Sequence, residues 1–259
     1  MSAPALIALA PQCRDERGAR IVRETVAALR RLRPALRVEP AFVGPAQPDR
    51  LHPGPAQPSL GQVVDRLAAR GHTEIVAVPL TVAPADQAGA DVLAAAEQSA
   101  AGRPGVAVRV ADPVGIDSAL LPVLDARLRD ALRAARVREL DALVLAGPSS
   151  TGARANTSAA RLARLWGSRH HLPTSVAFAS TAPPSTGEAV RDWRRQGRRH
   201  IAVGSLFITP GPWYDGAAEL AAEAGAVAVS GPLGAHDELG RLVLARYSVA
   251  ALRLVPIPV

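Results

Sequence analysis

The chain contains no lysine: its 30 basic side chains are all arginine. That absence excludes a phosphate-loop lysine, a Schiff-base lysine and a lysine general base. There is a single cysteine, Cys13, so an internal disulfide framework and a four-cysteine zinc site are excluded as well. Aromatic residues make up only 3% of the chain, too few for a stacking surface that tracks single-stranded nucleic acid. No apolar run approaches the roughly 18 residues of a membrane span. The opening residues lead straight into an apolar strand and lack the charged segment and cleavage pattern of a secretory signal. A cytoplasmic protein with no membrane partner is the expectation. The glycine fingerprint of dinucleotide-binding folds is missing after the first strand, and no Gly-x-Ser-x-Gly elbow occurs.

What is present begins with charge and bulk. The formal net charge is +7, and the arginines are scattered: Arg14, Arg17, Arg20, Arg23, Arg30, Arg31 and Arg33, then Arg191, Arg194, Arg195, Arg198 and Arg199. Such spacing reads either as solvated helix surface or as a field that draws in small polyanions. It is too dispersed for a basic recognition helix, and no nucleic-acid partner is expected. With 48% hydrophobic residues and 259 positions, the chain can bury one large core or two smaller ones.

Two cores are favoured because the sequence repeats itself. Ala5-Leu6-Ile7-Ala8-Leu9-Ala10-Pro11 is echoed by Ala142-Leu143-Val144-Leu145-Ala146-Gly147-Pro148. Ile75-Val76-Ala77-Val78-Pro79-Leu80 is echoed by Ile201-Ala202-Val203-Gly204-Ser205-Leu206. Asp112-Pro113-Val114-Gly115 is echoed by Gly231-Pro232-Leu233-Gly234. The spacing between copies shrinks from 137 residues (Ala5 to Ala142) to 126 (Ile75 to Ile201), so the first half carries about eleven extra residues. They are visible as a tandem copy, Gly44-Pro45-Ala46-Gln47-Pro48 and Gly54-Pro55-Ala56-Gln57-Pro58, read as an exposed loop over 44–58. A first lobe over residues 1–136 and a second over 137–259 follow from the echoes.

Within each lobe, short apolar runs alternate with segments of helical period. Strands are expected at 5–10, 38–43, 75–82 and 106–110, with helices at 16–33, 60–70, 88–101 and 117–135. The second half repeats the order, with strands at 142–146, 174–179, 200–208 and 226–229 and helices at 153–167, 185–196, 215–224 and 236–251. In the first helix Ile21, Val22, Val26, Leu29 and Leu32 are expected on the buried face, and Pro34 ends it. Unbroken apolar strands separated by helices predict an α/β fold of two tandem lobes, each a small parallel sheet flanked by helices, with a cleft between them.

Ala10-Pro11-Gln12-Cys13-Arg14-Asp15, with Arg17 two residues on, resembles the opening motif of the class II tetrapyrrole chelatases, the sirohydrochlorin ferrochelatase and anaerobic cobaltochelatase family. Val78-Pro79-Leu80 followed by Asp91 is similar to the family's second signature. Leu145-Ala146-Gly147-Pro148-Ser149-Ser150 with Ala153-Arg154-Ala155-Asn156, then Phe207-Ile208-Thr209-Pro210-Gly211 with Asp215, are similar to the companion half of double-length members. The resemblance implies insertion of Fe²⁺ or Co²⁺ into a sirohydrochlorin-like macrocycle for siroheme or cobalamin synthesis. The metal is then a substrate, no cofactor is permanently bound, and the duplicated chain works as a monomer. Sirohydrochlorin carries a rim of carboxylates, so Arg14, Arg17, Arg154 and the pair Ser149-Ser150 are its expected contacts. Ser149 and Ser150 read equally well as helix caps.

The chain also departs from that family. Where members have His-Gly-Ser, this sequence has Pro11-Gln12-Cys13. Where the second loop holds another histidine, it has Ala85-Asp86-Gln87-Ala88. At the matching places of the second half stand Pro148 and, approximately, Trp213. Neutral imidazole both binds a borderline divalent ion and accepts protons, and proline does neither. A replacement set is expected from Cys13, Asp86 and Gln87 as metal ligands, with Cys13 and Asp86 carrying the chemistry. The plainer alternative makes Cys13 a small loop filler and Asp86 a solvated turn residue. With the set functional, the chain is a chelatase; without it, an inactive homologue that binds a tetrapyrrole or metal as carrier or partner protein. His72, His200, His170, His171 and His236 are read as packing, surface or helix-end residues.

Overall fold

A computed structural model of the chain describes residues 3–13, 16–43, 57–82, 94, 105–148, 153–179 and 183–254. The expected helix at 88–101, apart from residue 94, and most of the duplicated loop at 44–58 lie outside the described residues.

The apolar runs form two four-stranded sheets, all parallel. In the first, β1 (Ala5–Pro11), β2 (Val38–Val43), β3 (Glu74–Pro79) and β4 (Ala107–Val110) lie in the order β2-β1-β3-β4. In the second, β5 (Ala142–Gly147), β6 (Thr174–Phe178), β7 (Ile201–Ser205) and β8 (Ala228–Val229) lie in the order β6-β5-β7-β8. The central strands β1, β5 and β7 are buried along nearly their whole length. A central parallel strand covered on both faces needs such unbroken apolar sequence, which is why alternation is missing from it.

The helices are α1 (Glu16–Leu32), α2 (Leu60–Ala68), α3 (Leu121–Ala135), α4 (Ala153–His170), α5 (Thr186–Arg195), α6 (Pro212–Glu223) and α7 (Asp237–Leu252). A 3₁₀ turn at Ser118–Leu120, capped by Asp117, leads into α3. In α1, Glu16 sits in the first turn and Arg30 and Arg31 in the last, matching the helix dipole. Its buried face runs through Gly18, Ala19, Val22, Thr25, Val26, Ala28 and Leu29. Ile21 and Leu32 stand at the margin of that face, half-buried. The shift centres the face on Thr25, whose hydroxyl is satisfied within the helix by the Ile21 carbonyl at 2.8 Å and so can be buried. Gly240 lets α7 approach closely: a Cβ there would lie 2.8 Å from Leu32 Cδ1.

Strand β3 stops at Pro79 and β7 at Ser205, earlier than the apolar runs suggest. Beyond those points the backbone changes partners. Val114 and Gly115 donate to the carbonyls of Pro79 and Thr81, and Leu233 and Gly234 donate to those of Phe207 and Ile208. Helix α6 begins three residues before its expected start because Pro212 is pre-organised for a first helical turn.

A further echo lies at the second strand of each half. Phe42 bridges to Ser59 and donates its N–H to the Pro58 carbonyl; Phe178 bridges to Ser185 and donates its N–H to the Pro184 carbonyl. Ser59 and Ser185 each cap the next helix in a reciprocal box, with Gln62 and Glu188 as the returning side chains. The first half spends ten more residues between these two anchors than the second, the length of the tandem copy.

The chain packs as two compact units, Met1–Gly115 with Ala235–Val259, and Ile116–Gly234. The lobes expected from the sequence repeat meet at 136/137, whereas in the fold the last helix of each repeat packs with the other sheet. Helix α3 lies on β7 and β8, and α7 lies on α1 and β3. Both transfers of the chain follow the echoed Pro-x-Gly. Gly115 and Gly234 take left-handed backbone there, with φ of 73° and 63°. Each unit has its own core. Ile7, Leu9, Val63, Val64 and Ile75 anchor one, and Val144, Ala177, Val190, Ile201 and Val203 anchor the other.

Candidate functional site

The strand order sets where each unit can hold a ligand. From β1 the chain moves to β2 on one side and then to β3 on the other, so the topological switch point, where open α/β sheets bind ligands, falls at the carboxyl ends of β1 and β3. In the second unit the same argument selects the ends of β5 and β7.

At the first of these edges, Gln12 continues the sheet by donating to Val43 at 2.8 Å, and its side chain is exposed. Cys13 follows, half-buried. Its backbone is clamped by one side chain: Cys13 N–H donates to Gln57 Oε1 at 2.9 Å, and Gln57 Nε2 donates to the Cys13 carbonyl at 2.7 Å. The thiol is 3.6 Å from the Pro11 carbonyl, a weak contact. Gln57 belongs to the second copy of Gly-Pro-Ala-Gln-Pro. The end of the duplicated segment therefore fixes the backbone of the candidate ligand, a role that pattern alone did not suggest. Arg17 is exposed in the first turn of α1.

Of the other expected site residues, Arg14, Asp86, Gln87, Ser149 and Ser150 lie outside the described residues. Arg154 falls in the first turn of α4, and its side chain is likewise outside the description. Among the described residues no group of three or more His, Cys, Asp or Glu is gathered as a metal cage.

The second edge is better defined. Leu206 N–H donates to the Ala146 carbonyl at 2.8 Å and joins the loop after β7 to the end of β5. Ser205 and Ser230 are buried and satisfy the loop backbone: Ser205 N–H donates to Ser230 Oγ at 3.0 Å, and Phe207 N–H to Ser205 Oγ at 3.3 Å. Tyr214 donates its hydroxyl to the Ser230 carbonyl at 3.1 Å and meets Phe207 edge-on, with ring centroids 6.0 Å apart.

Among the described residues, His170, His200 and His236 serve the scaffold. His170 Nε2 reaches Asp125 Oδ1 at 2.8 Å, and the same oxygen accepts from Trp166 Nε1 at 3.0 Å. Arg169 Nε holds Asp125 Oδ2 at 2.8 Å. Asp125 is 9% exposed and Trp166 fully buried, so this carboxylate ties α3 to α4 from inside the unit. Sequence reading assigned His170 to the helix dipole and missed its partner, which lies 45 residues away. Trp166 packs against Gly204, where a Cβ would sit 2.4 Å from the indole ring. His236 caps α7, its Nδ1 accepting from Glu238 N–H at 3.2 Å. His200 Nδ1 lies 3.9 Å from Asp141. Burial raises the Asp141 carboxyl, but the N–H groups of Arg199 and His200 and the charges of His200 and Arg198 together hold it below its ordinary value.

Two four-stranded parallel sheets flanked by helices, in two compact units, make this an α/β protein of tandem lobes. Comparison with known proteins places it further. The CbiX family matches residues 13–131 and again 142–250, and the chain belongs to that family in both halves. It is similar to the sirohydrochlorin cobaltochelatase of Priestia megaterium, with 22% identity over 157 residues, 60% of this chain and 51% of that protein. The match thus spans about half the length of that curated relative. Among solved structures, the chain resembles SirB from Bacillus subtilis with Fe³⁺, at a TM-score of 0.68 and 17% identity over 97% of each chain. It also resembles CbiX, the terminal enzyme for siroheme biosynthesis in denitrifying bacteria, at a TM-score of 0.61 and 18% identity over 95% of this chain and 99% of that one. At these identities the structural likeness establishes the fold. No helix among the described residues is long and apolar enough to cross a membrane.

Proposed function

We propose that this chain is a chelatase of the sirohydrochlorin type, inserting Fe²⁺ or Co²⁺ into a tetrapyrrole with a replaced ligand set. Family membership through both halves supports the substrate class. The observation that carries the ligand set is Cys13 at the switch point of the first sheet, its backbone held on both sides by Gln57. A side chain that must hand a metal to a ring benefits from a fixed backbone, because little ordering remains to be done when the metal arrives.

The reaction exchanges two pyrrole N–H protons for one divalent cation. Cys13 holds the incoming metal through its sulfur, Gln87 adds a weak neutral oxygen, and Asp86 binds the metal and accepts protons. Arg14, Arg17 and Arg154, with Ser149 and Ser150, bind the carboxylates of the macrocycle. The protein works as a monomer in the cytoplasm.

A second reading is favoured by Pro11, Gln12 and Pro148. These stand where the family carries its imidazole-bearing motif and its counterpart, and the proline side chains offer neither a metal ligand nor a base. On that reading the chain binds tetrapyrrole or metal and leaves insertion to a partner. Anaerobic titration with Co²⁺ tests the ligand set. A saturable thiolate-to-cobalt absorption band is expected in the native chain and absent from Cys13→Ser. No band, or a band unchanged in Cys13→Ser, removes the replaced set and leaves the second reading.

A further inference from the structure

The chain has eight aromatic residues: three Trp, two Tyr and three Phe. Seven are put away. Trp166 is fully buried, Tyr247, Phe42, Phe207 and Phe178 are at most 9% exposed, and Trp193 and Tyr214 are half-buried with their polar atoms bonded. Trp213 alone is turned out, at 60% exposure. In a chain this sparing with aromatic surface, an indole left in water forgoes the largest burial gain any side chain offers. Its position is also particular. It is the second residue of α6, directly beyond the loop leaving the carboxyl end of β7, at the edge where the second sheet parts.

The backbone on either side of Trp213 is fixed. Before it, the Phe207 carbonyl accepts from Leu233 N–H at 2.7 Å, and Phe207 N–H donates to the buried hydroxyl of Ser205. After it, Tyr214 is pinned to Ser230, and Asp215 N–H closes the first turn on the Gly211 carbonyl at 2.8 Å. The ground around it is low. Gly211 and Gly216 flank it, and among the described residues a Cβ at either would meet nothing within 4 Å. A rigidly based aromatic plane beside open backbone suits a broad, flat, conjugated molecule, which can cover the indole without threading between side chains.

We propose that Trp213 is the stacking platform of the second unit for one face of the tetrapyrrole macrocycle. This rests on the tetrapyrrole reading given above and extends it to a residue that determines binding. Indole and macrocycle meet offset and face to face, an arrangement both π systems favour. The contact is neutral, so it complements the arginine contacts to the carboxylate rim and is insensitive to salt.

The test is anaerobic titration of the full-length chain with metal-free sirohydrochlorin, following the macrocycle's absorbance. Trp213→Ala and Trp213→Phe are run beside the native protein. Both variants should keep the native melting temperature, since the side chain is exposed. Alanine should weaken binding about tenfold and phenylalanine less than about threefold, in line with stacking on an aromatic face. Tight native binding with unchanged affinity in Trp213→Ala overturns the platform and leaves the tetrapyrrole reading standing. No binding by the native chain overturns both. Unchanged macrocycle affinity together with loss of a concentration-dependent dimer in Trp213→Ala assigns the indole to a protein contact, which also overturns the proposal.

Discussion

Replacing Asp125 with alanine removes the acceptor that holds the inside of the second unit together. Trp166 is fully buried, and its Nε1–H has Asp125 Oδ1 as its partner at 3.0 Å. Without that oxygen a buried donor is orphaned, at about 1–3 kcal/mol. The pair with Arg169 adds less: that side chain is 55% exposed, and such pairs contribute about 0.2–1 kcal/mol. The two losses together make about 1–4 kcal/mol, reduced somewhat because a carboxylate no longer has to be desolvated. Asparagine keeps an oxygen for Trp166 and should cost less than half as much. All three tryptophans, 166, 193 and 213, lie between Ile116 and Gly234, so tryptophan fluorescence during urea unfolding reports on this unit by itself. The expected result is a lower midpoint in Asp125→Ala with an unchanged slope, and an intermediate midpoint in Asp125→Asn. A loss below about 0.5 kcal/mol in Asp125→Ala, the level of an ordinary surface substitution, would refute the reasoning.

Two further predictions come from local hydrogen bonding. Gln57→Ala removes both bonds to the backbone of Cys13, so the thiol of this single cysteine should react several-fold faster with an aromatic disulfide reagent; an unchanged rate would mean that the clamp does not hold the loop in solution. The two capping boxes should differ in acid. The N–H and hydroxyl of Ser185 hold the Glu188 carboxyl below its ordinary 4.5, so its stabilisation is complete above that value and is lost as pH falls through the lowered one. Gln62 in the matching box does not titrate. Glu188→Gln should therefore flatten the fall in fluorescence-detected melting temperature as pH drops below 4.5, and an unaltered fall would contradict this assignment.

The fold was legible because its information is local. Val144 and Ile7 sit in unbroken apolar runs, and such runs, spaced by helical segments, specify a covered parallel sheet without knowledge of neighbours. The repeats and their Pro-x-Gly ends could be read letter by letter, and they fall where the chain passes between units. That α3 and α7 pack with the opposite sheet could not be read, because it depends on which sheet face is left open, not on either helix's own sequence. The site was less legible for the same reason. Cys13 could be placed on the loop after β1, but its clamp comes from Gln57, 44 residues away, in a segment that composition marks as dispensable. Asp125, Trp166 and His170 each look ordinary in sequence and acquire meaning only together. Trp213 drew attention only as the approximate counterpart of a family position, and its exposure among seven sheltered aromatics emerged only with the structure.

The central claim, the proposal that this CbiX-family chain metallates a tetrapyrrole with a replaced ligand set, is tested by one incubation. Pure protein is mixed anaerobically with sirohydrochlorin and Co²⁺ or Fe²⁺, and the macrocycle's absorbance is followed against a control without protein. The account predicts faster conversion to the metallated spectrum, with the enhancement lost in Cys13→Ser. A spectrum that shifts and saturates on binding but metallates no faster than the control would contradict it.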